Sequence, residues 1–311
     1  MKKVLVTCPP MLGMLEEFIE PARELGMDLV PAKTTQVLSE EELVLQVPNF
    51  DGWIIGDDPA TAKVFQASTS GSLKAAVKWG IGVDNVDFAA CRDLGLPISN
   101  TPNMFGGEVA DLAIAYILGL ARQSYLIDRE IRAGGWPKPP GMSMAGKHVG
   151  VVGFGDIGET VVKRLMGFDV RVTVYDPGVD GDKGFSYVER KSFPEGVEEL
   201  DFLVFTCALN RHNHHMLNEN VLDKMQPGVK IVNVARGPLI DEVALVEALE
   251  SGQVSAAALD VFEMEPLPQD SKLRSMSECI FGSHNGSNTK EGVRRASFKA
   301  LEILGGYLAN A

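Results

Sequence analysis

The stretch KHVGVVGFGDIGETVVKRL, residues 147–165, leaves this chain fewer possible folds than any other part of it. An apolar run ends at Val152, then Gly153, Gly155 and Gly158 follow in GxGxxG spacing, and helical periodicity resumes behind them. Glycine at these points permits a tight turn, lets the backbone approach a pyrophosphate, and lets the helix lie close on the strand with its N-terminus facing the phosphates. A bare GxGxxG says little. Here a second strand pattern, VRVTVYD, ends in Asp176, 23 positions after Gly153, where a carboxylate can accept both ribose hydroxyls of NAD and repel the extra phosphate of NADP. The expected ligand is NAD. The competing reading is a ligand-free glycine turn, with Asp176 merely closing its strand before Pro177.

The rest of the chain repeats this alternation. KKVLVTC, GWIIG, KAAVKWG, DFLVFTC, GVKIVNVA, VSAAALDVF and ECIFGSH are short β-rich runs of nearly continuous apolarity, the pattern of parallel strands buried on both faces. Between them lie helices with legible ends: Ser39 and Glu42 fit a capping box, and Gly252 closes DEVALVEALESG. The class is α/β with doubly wound parallel sheets, and 311 residues at 45% hydrophobic suffice for two cores. The segment FGGEVADLAIAYILGLARQSYLIDREIRAGGW reads as a helical pattern too long and too apolar to expose one face, so it is expected to pack against a second subunit. PKPPG, just after it, has linker composition but follows too apolar a helix to mark a domain boundary.

With 42 Asp and Glu against 29 Lys and Arg, the net charge of −13 repels a nucleic-acid backbone and an anionic membrane surface alike. No apolar run reaches the roughly 18 residues of a membrane span, and Pro9 and Pro10 interrupt MKKVLVTC too early for a secretory segment. Cys8, Cys91, Cys207 and Cys279 show neither CxxC spacing nor a disulfide framework and read as small buried hydrophobes. A cytoplasmic protein working on small molecules is expected.

Three strand ends beyond the glycine motif each present a polar group: Arg236 after IVNVA, Glu265 in LDVFEMEPLP, and His284 in CIFGSHNG. Ligands of open α/β sheets bind outside the carboxyl ends of the strands, so the three can converge on one crevice. Singly, each has an ordinary alternative: a surface ion pair for Arg236, a solvated loop acid for Glu265, a structural histidine for His284. Together with KWGIGVDNVD, SNTPNMFGGEVAD, GKHVGVVGFGDIG, MQPGVKIVNVARGPLIDE, AALDVFEMEPLP and GSHNGS, in order along nearly the whole chain, they closely resemble the D-isomer-specific 2-hydroxyacid dehydrogenase family.

The resemblance implies a catalytic set of Arg236, Glu265 and His284 with NAD as hydride carrier. Arg236 would pair bidentately with the carboxylate of a 2-hydroxy or 2-keto acid, with backbone amides of Ile81 and Gly82 as a second contact. His284 would be the general acid and base, oriented by Glu265. Cofactor contacts are implied for Gly153, Gly155, Asp156, Ile157, Gly158, Asp176, Thr206, Val234, Ala235 and Asp260, the last against the nicotinamide carboxamide. Residues 1–99 and 287–311 would form a flavodoxin-like substrate-binding domain. A Rossmann NAD-binding domain, 100–286, would be inserted in it, with a homodimer built on a helix at about 106–134.

The chain departs from the family at TCALN, where Thr206 and Ala208 replace the His and Pro of many members. RHNHHMLN offers His212, His214 and His215, but acidic or cysteine ligands at metal spacing are missing nearby, so a solvated helix start is read there and no metal. At the end of the third strand, where phosphoglycerate dehydrogenases place a cation, Gly56, Asp57 and Asp58 stand, and two carboxylates oppose a phosphate. The final helix, EGVRRASFKALEILGGYLANA, is expected to carry no regulatory extension. An unphosphorylated substrate is therefore expected, with Asp57 or Asp58 accepting its hydroxyls, unless both aspartates simply cap the next helix.

D-3-phosphoglycerate dehydrogenase is the alternative. An NAD(H)-sensing module like the family's transcriptional corepressors is the alternative of another class, and it is expected to bind the cofactor and reduce nothing. Formate dehydrogenase is disfavoured because its histidine is partnered by glutamine, whereas phosphite oxidation shares the Arg–Glu–His set.

Overall fold

The computed structural model describes residues 1–34, 36–178, 185 and 188–310 and divides into two compact units, Met1–Phe105 with Ser287–Ala311, and Gly106–Gly286. In the first unit β1 (Lys2–Val6), β2 (Met27–Pro31), β3 (Gly52–Ile55), β4 (Ala75–Lys78) and β5 (Ile98–Asn100) form a parallel sheet in the order β2-β1-β3-β4-β5. In the second, the strands are β6 (His148–Val152), β7 (Arg171–Tyr175), β8 (Glu189–Arg190), β9 (Phe202–Phe205), β10 (Val229–Asn233), β11 (Val254–Leu259) and β12 (Ile280–Phe281). They too are all parallel, in the order β12-β11-β10-β9-β6-β7-β8. The first is the flavodoxin-like order; the second is the Rossmann order extended by one strand.

Continuous apolarity in sequence becomes continuous burial in space. Every residue of β3, β4, β6 and β9 is buried. Trp53 and Phe65 sit at the centre of the first core with ring centroids 6.0 Å apart, while Leu203, Phe205 and Ile231 anchor the second. Each fully buried side chain of this size contributes about 1.5–3 kcal/mol relative to exposure. The capping box forms, with Glu42 N donating to Ser39 Oγ and Ser39 N to the Glu42 carboxylate, and Gly252 closes its helix at φ 80°.

Two expectations are corrected. The chain leaves the first unit at Phe105, later than the crossing expected near residue 99, because residues beyond β5 still pack on that unit. Thr101 Oγ1 accepts from Gly80 N at 2.8 Å, Phe105 stacks on Trp79 at 5.0 Å, and Arg295 of the last helix donates to Met104 O. The pattern at 106–134 is two helices, Gly106–Arg122 and Ser124–Arg132, broken at Gln123, whose φ of 52° no right-handed helix accommodates. The apolar surface of the first helix is buried within its own unit, through Val109, Ala113, Tyr116, Ile117 and Leu120 against the helix Asp156–Leu165 and strands β10 and β11. Its apolarity therefore needs no second subunit to explain it. The helix Ser124–Arg132, by contrast, buries none of its residues.

Among the described residues, no helix is long and apolar enough to cross a membrane. The four cysteines are unpaired, and burial raises their thiols, that of Cys207 to about 11. None of them offers a ready thiolate.

Candidate active site

β6 runs into the glycine turn, and the three glycines divide the work. Gly153 has φ 95°, and a Cβ there would meet the Cys207 backbone at 2.7 Å. On Gly158 a Cβ would land on the Gly153 carbonyl and 2.8 Å from Thr206 Oγ1, so the helix Asp156–Leu165 lies as close to its strand as backbone allows. Gly155, the N-cap of that ten-residue helix, has nothing within 4 Å of its Cβ position. An open glycine face at a helix start, with the Asp156 and Ile157 N–H groups in the first turn, fits a pyrophosphate. The Asp156 carboxylate itself is packed against Gly106.

Asp176 follows β7, where its Oδ2 accepts from Phe154 N at 2.6 Å and its Oδ1 from Gly178 N at 2.8 Å. These bonds fix the acid beside the glycine turn. Thr206, the departure from the family pattern, places Oγ1 3.0 Å from both Val152 O and Gly153 O and so latches the end of β6. Val234 and Ala235 are buried beyond β10.

β10, β11 and β12 are parallel neighbours, so the carboxyl ends leading to Arg236, Glu265 and His284 lie side by side. Buried Asn233 shapes the first of these turns, its Nδ2 donating to Arg236 O at 2.9 Å and its Oδ1 accepting from Ala235 N at 3.0 Å. Arg236 Nη1 donates to Ala235 O at 2.8 Å. The next residue, Gly237, rests its backbone directly on that of Phe262 and Glu263. Phe262 N in turn donates to Glu265 Oε1 at 3.0 Å.

Glu265 Oε2 lies 2.8 Å from His284 Nδ1, with both side chains about one-fifth exposed, at 22% and 21%. A carboxylate only accepts, so Nδ1 carries the proton of this bond, and Nε2 is the ring nitrogen that the bond does not use. His284 itself has φ 55°, and its N–H donates to Asp260 O at 2.6 Å. The buried Asp260 carboxylate accepts from Asn285 N at 3.1 Å and Gly286 N at 2.8 Å, while desolvation raises its pKa above the ordinary value. The acid expected against a nicotinamide carboxamide thus also holds the turn that presents His284.

In the first unit the two aspartates differ from expectation. Asp58 is fully buried, accepting from Leu38 N at 2.9 Å, Gly56 N at 3.1 Å and the Thr7 hydroxyl, and desolvation raises its pKa. It neither faces a substrate nor caps the next helix, whose N-cap is Thr61. Asp57 pairs at 3.0 Å with Lys78, a buried ammonium that also donates to Trp79 O. Two opposing carboxylates are therefore absent as a barrier to phosphate: one is neutralised and the other turned inward. Ile81, partly exposed, and Gly82 follow in the loop after β4.

Lys78 and Asn233 escaped the sequence reading, although a lysine closing an apolar run and an asparagine just before the Arg236 turn were visible signals. The acids judged missing around the histidine tract come from elsewhere in the chain: Glu263 Oε1 is 2.7 Å from His215 Nε2, and Asp241 Oδ2 is 3.8 Å from Nδ1.

Residues 114–286, more than half of the chain, match the family model described as D-isomer specific 2-hydroxyacid dehydrogenase, NAD binding domain. The chain belongs to this family. A hydroxypyruvate reductase of Thermotoga maritima is 35% identical over 278 residues, covering 87% of this chain and 89% of that one. The chloroplastic D-3-phosphoglycerate dehydrogenase 3 of Arabidopsis thaliana is also 35% identical, but the chain spans only 47% of its length. Among solved structures, the TT0316 protein from Thermus thermophilus aligns with a TM-score of 0.88 at 30% identity, over 99% of this chain and 97% of that one. As a D-2-hydroxyacid dehydrogenase, the protein is an NAD-dependent oxidoreductase acting on the CH–OH group of small 2-hydroxy acids.

Proposed function

We propose that this dehydrogenase interconverts a small unphosphorylated 2-keto acid and its D-2-hydroxy acid, of the hydroxypyruvate or glyoxylate class, with Arg236, Glu265 and His284 as its catalytic set. The observation that carries the assignment is the 2.8 Å His284–Glu265 pair on a strand end two places from that of Arg236. Bound NADH supplies the hydride that adds to C2. Arg236 is assigned the substrate carboxylate, which it holds with two parallel N–H groups. His284 Nε2 gives its proton to the C2 oxygen during reduction and takes it back during oxidation. Glu265 fixes the tautomer and the ring plane.

For the cofactor, the Gly153–Gly155–Gly158 turn and the Asp156 and Ile157 amides are assigned the pyrophosphate, and Asp176 the adenine ribose. Thr206, Val234, Ala235 and Asp260 are assigned the wall beside the nicotinamide.

One observation supports an unphosphorylated substrate. Lys78, the cation at the end of β4, is already committed to Asp57, so a phosphate dianion would have to compete for it.

A panel of 2-keto acids with NADH tests this reading. Hydroxypyruvate or glyoxylate should exceed 3-phosphohydroxypyruvate in kcat/KM; the reverse order overturns the substrate assignment, and NADH binding without any turnover makes the protein a sensor. In the same assay Arg236→Lys should bind NADH normally yet lose about two orders of magnitude in kcat/KM, about 2.7 kcal/mol, because a point charge replaces a fork. An unchanged kcat/KM would remove Arg236 from the site.

The assembly we favour is a homodimer through the helix Ser124–Arg132 and the residues after it, where Tyr125, Ile131 and Trp136 are exposed at 43%, 40% and 77%. Sedimentation should give twice the chain mass; a monomer at micromolar concentration overturns it. Four unpaired thiols suit a reducing compartment and support a cytoplasmic enzyme; recovery in a secreted fraction would contradict this.

A further inference from the structure

His215 contributes nothing to the chemistry above, yet it touches both loops that carry it. Its backbone N–H donates to Pro238 O at 2.8 Å, two residues beyond Arg236, and Leu217 N and O pair with Leu239 O and Asp241 N. Its ring reaches the other way. Nε2 lies 2.7 Å from Glu263 Oε1, and because a carboxylate only accepts, Nε2 carries the proton of that bond. Glu263 also accepts from Glu242 N at 3.1 Å and sits two residues before Glu265.

Without the ring, the Asp241 and Glu263 carboxylates that flank it would face each other with no donor side chain between them, and like charges so placed repel. His215 itself has φ 50°, a conformation that glycine adopts freely and histidine only at an energetic cost. The side chain is kept where the backbone alone would favour none.

We propose that His215 is a positioning residue: it ties the Glu265 loop to the Arg236 turn and so sets the placement of the His284–Glu265 pair. The inference rests on the catalytic assignment made above. Its effect on chemistry passes through Glu265, so removing the ring should act only while Glu265 is there to be positioned.

The test is a double-mutant cycle on 2-keto acid reduction. His215→Gly keeps the left-handed backbone and deletes the ring; kcat should fall about tenfold or more, as small misplacements of a catalytic group do, with the NADH Kd unchanged. His215→Gln, which keeps a long donor, should restore most of it. In a Glu265→Gln background, His215→Gly should have little further effect. Full additivity of the two substitutions, or wild-type kcat in His215→Gly, overturns the proposal while leaving the catalytic assignment intact. A Glu265→Gln variant with wild-type turnover overturns the catalytic assignment first. Loss of wild-type activity on chelation, restored by zinc and absent in His215→Gly, would instead make His215, Asp241 and Glu263 a metal site and equally overturn the positioning role.

Discussion

His284→Ala is expected to lower turnover in both directions by roughly two to four orders of magnitude, the usual contribution of a positioned general acid or base, while NADH still binds. The ring is the group that can exchange the proton hydride transfer leaves behind, because its Nδ1 is engaged by Glu265 at 2.8 Å and its Nε2 is not part of that bond. Glu265→Gln should leave a slower enzyme with displaced pH limbs. A carboxylate beside the ring favours the imidazolium, so losing its charge makes the ring release its proton at lower pH. Reduction needs the imidazolium and should fail at lower pH than in the wild type; oxidation needs the neutral ring and should extend to lower pH. Both limbs move the same way. Profiles of kcat/KM against pH in the two directions check this, and limbs that stay in place would sink the pairing.

Gly237→Ala should damage both folding and catalysis. Gly237 is absent from the residues with left-handed backbone, so only space excludes a side chain there. That space is taken by the backbone of Phe262 and Glu263, which cannot swing aside as a side chain could. Overpacking of this kind costs about 1–3 kcal/mol or more, which a thermal melt of the variant should register as a drop of several degrees. The loop that must retreat is the one whose Phe262 N–H holds Glu265, so kcat should fall by about a hundredfold even in the fraction that folds. Wild-type melting and wild-type kcat together would show that the two turns do not touch as described.

Most of this architecture was legible because central parallel strands are written as unbroken apolar runs. β1, β3, β4, β6, β7 and β9 to β12 all fell on such runs. The strands that escaped, β2, β5 and β8, are sheet edges. An edge strand shows one side to solvent, and these three are mostly half-buried, so MDLVP, ISN and ER carry no run to find. The glycine turn and the Arg236, Glu265 and His284 strand ends were legible because each sits at a fixed offset from a readable strand. Partnerships were not: Lys78 with Asp57 and His215 with Glu263 join residues 21 and 48 positions apart, and nothing local in either segment announces the other. The break at Gln123 was equally silent, since glutamine is an ordinary helix former and only tertiary packing turns it left-handed.

The left-handed backbone of His284 and His215, at φ 55° and 50°, bears on how this enzyme could be engineered. At both positions glycine relaxes the chain, so a screen that rewards only heat resistance is biased toward removing the acid–base residue and the residue that braces it. Variants recovered that way would be hardier proteins and poorer dehydrogenases, so selection on this scaffold has to score turnover alongside survival.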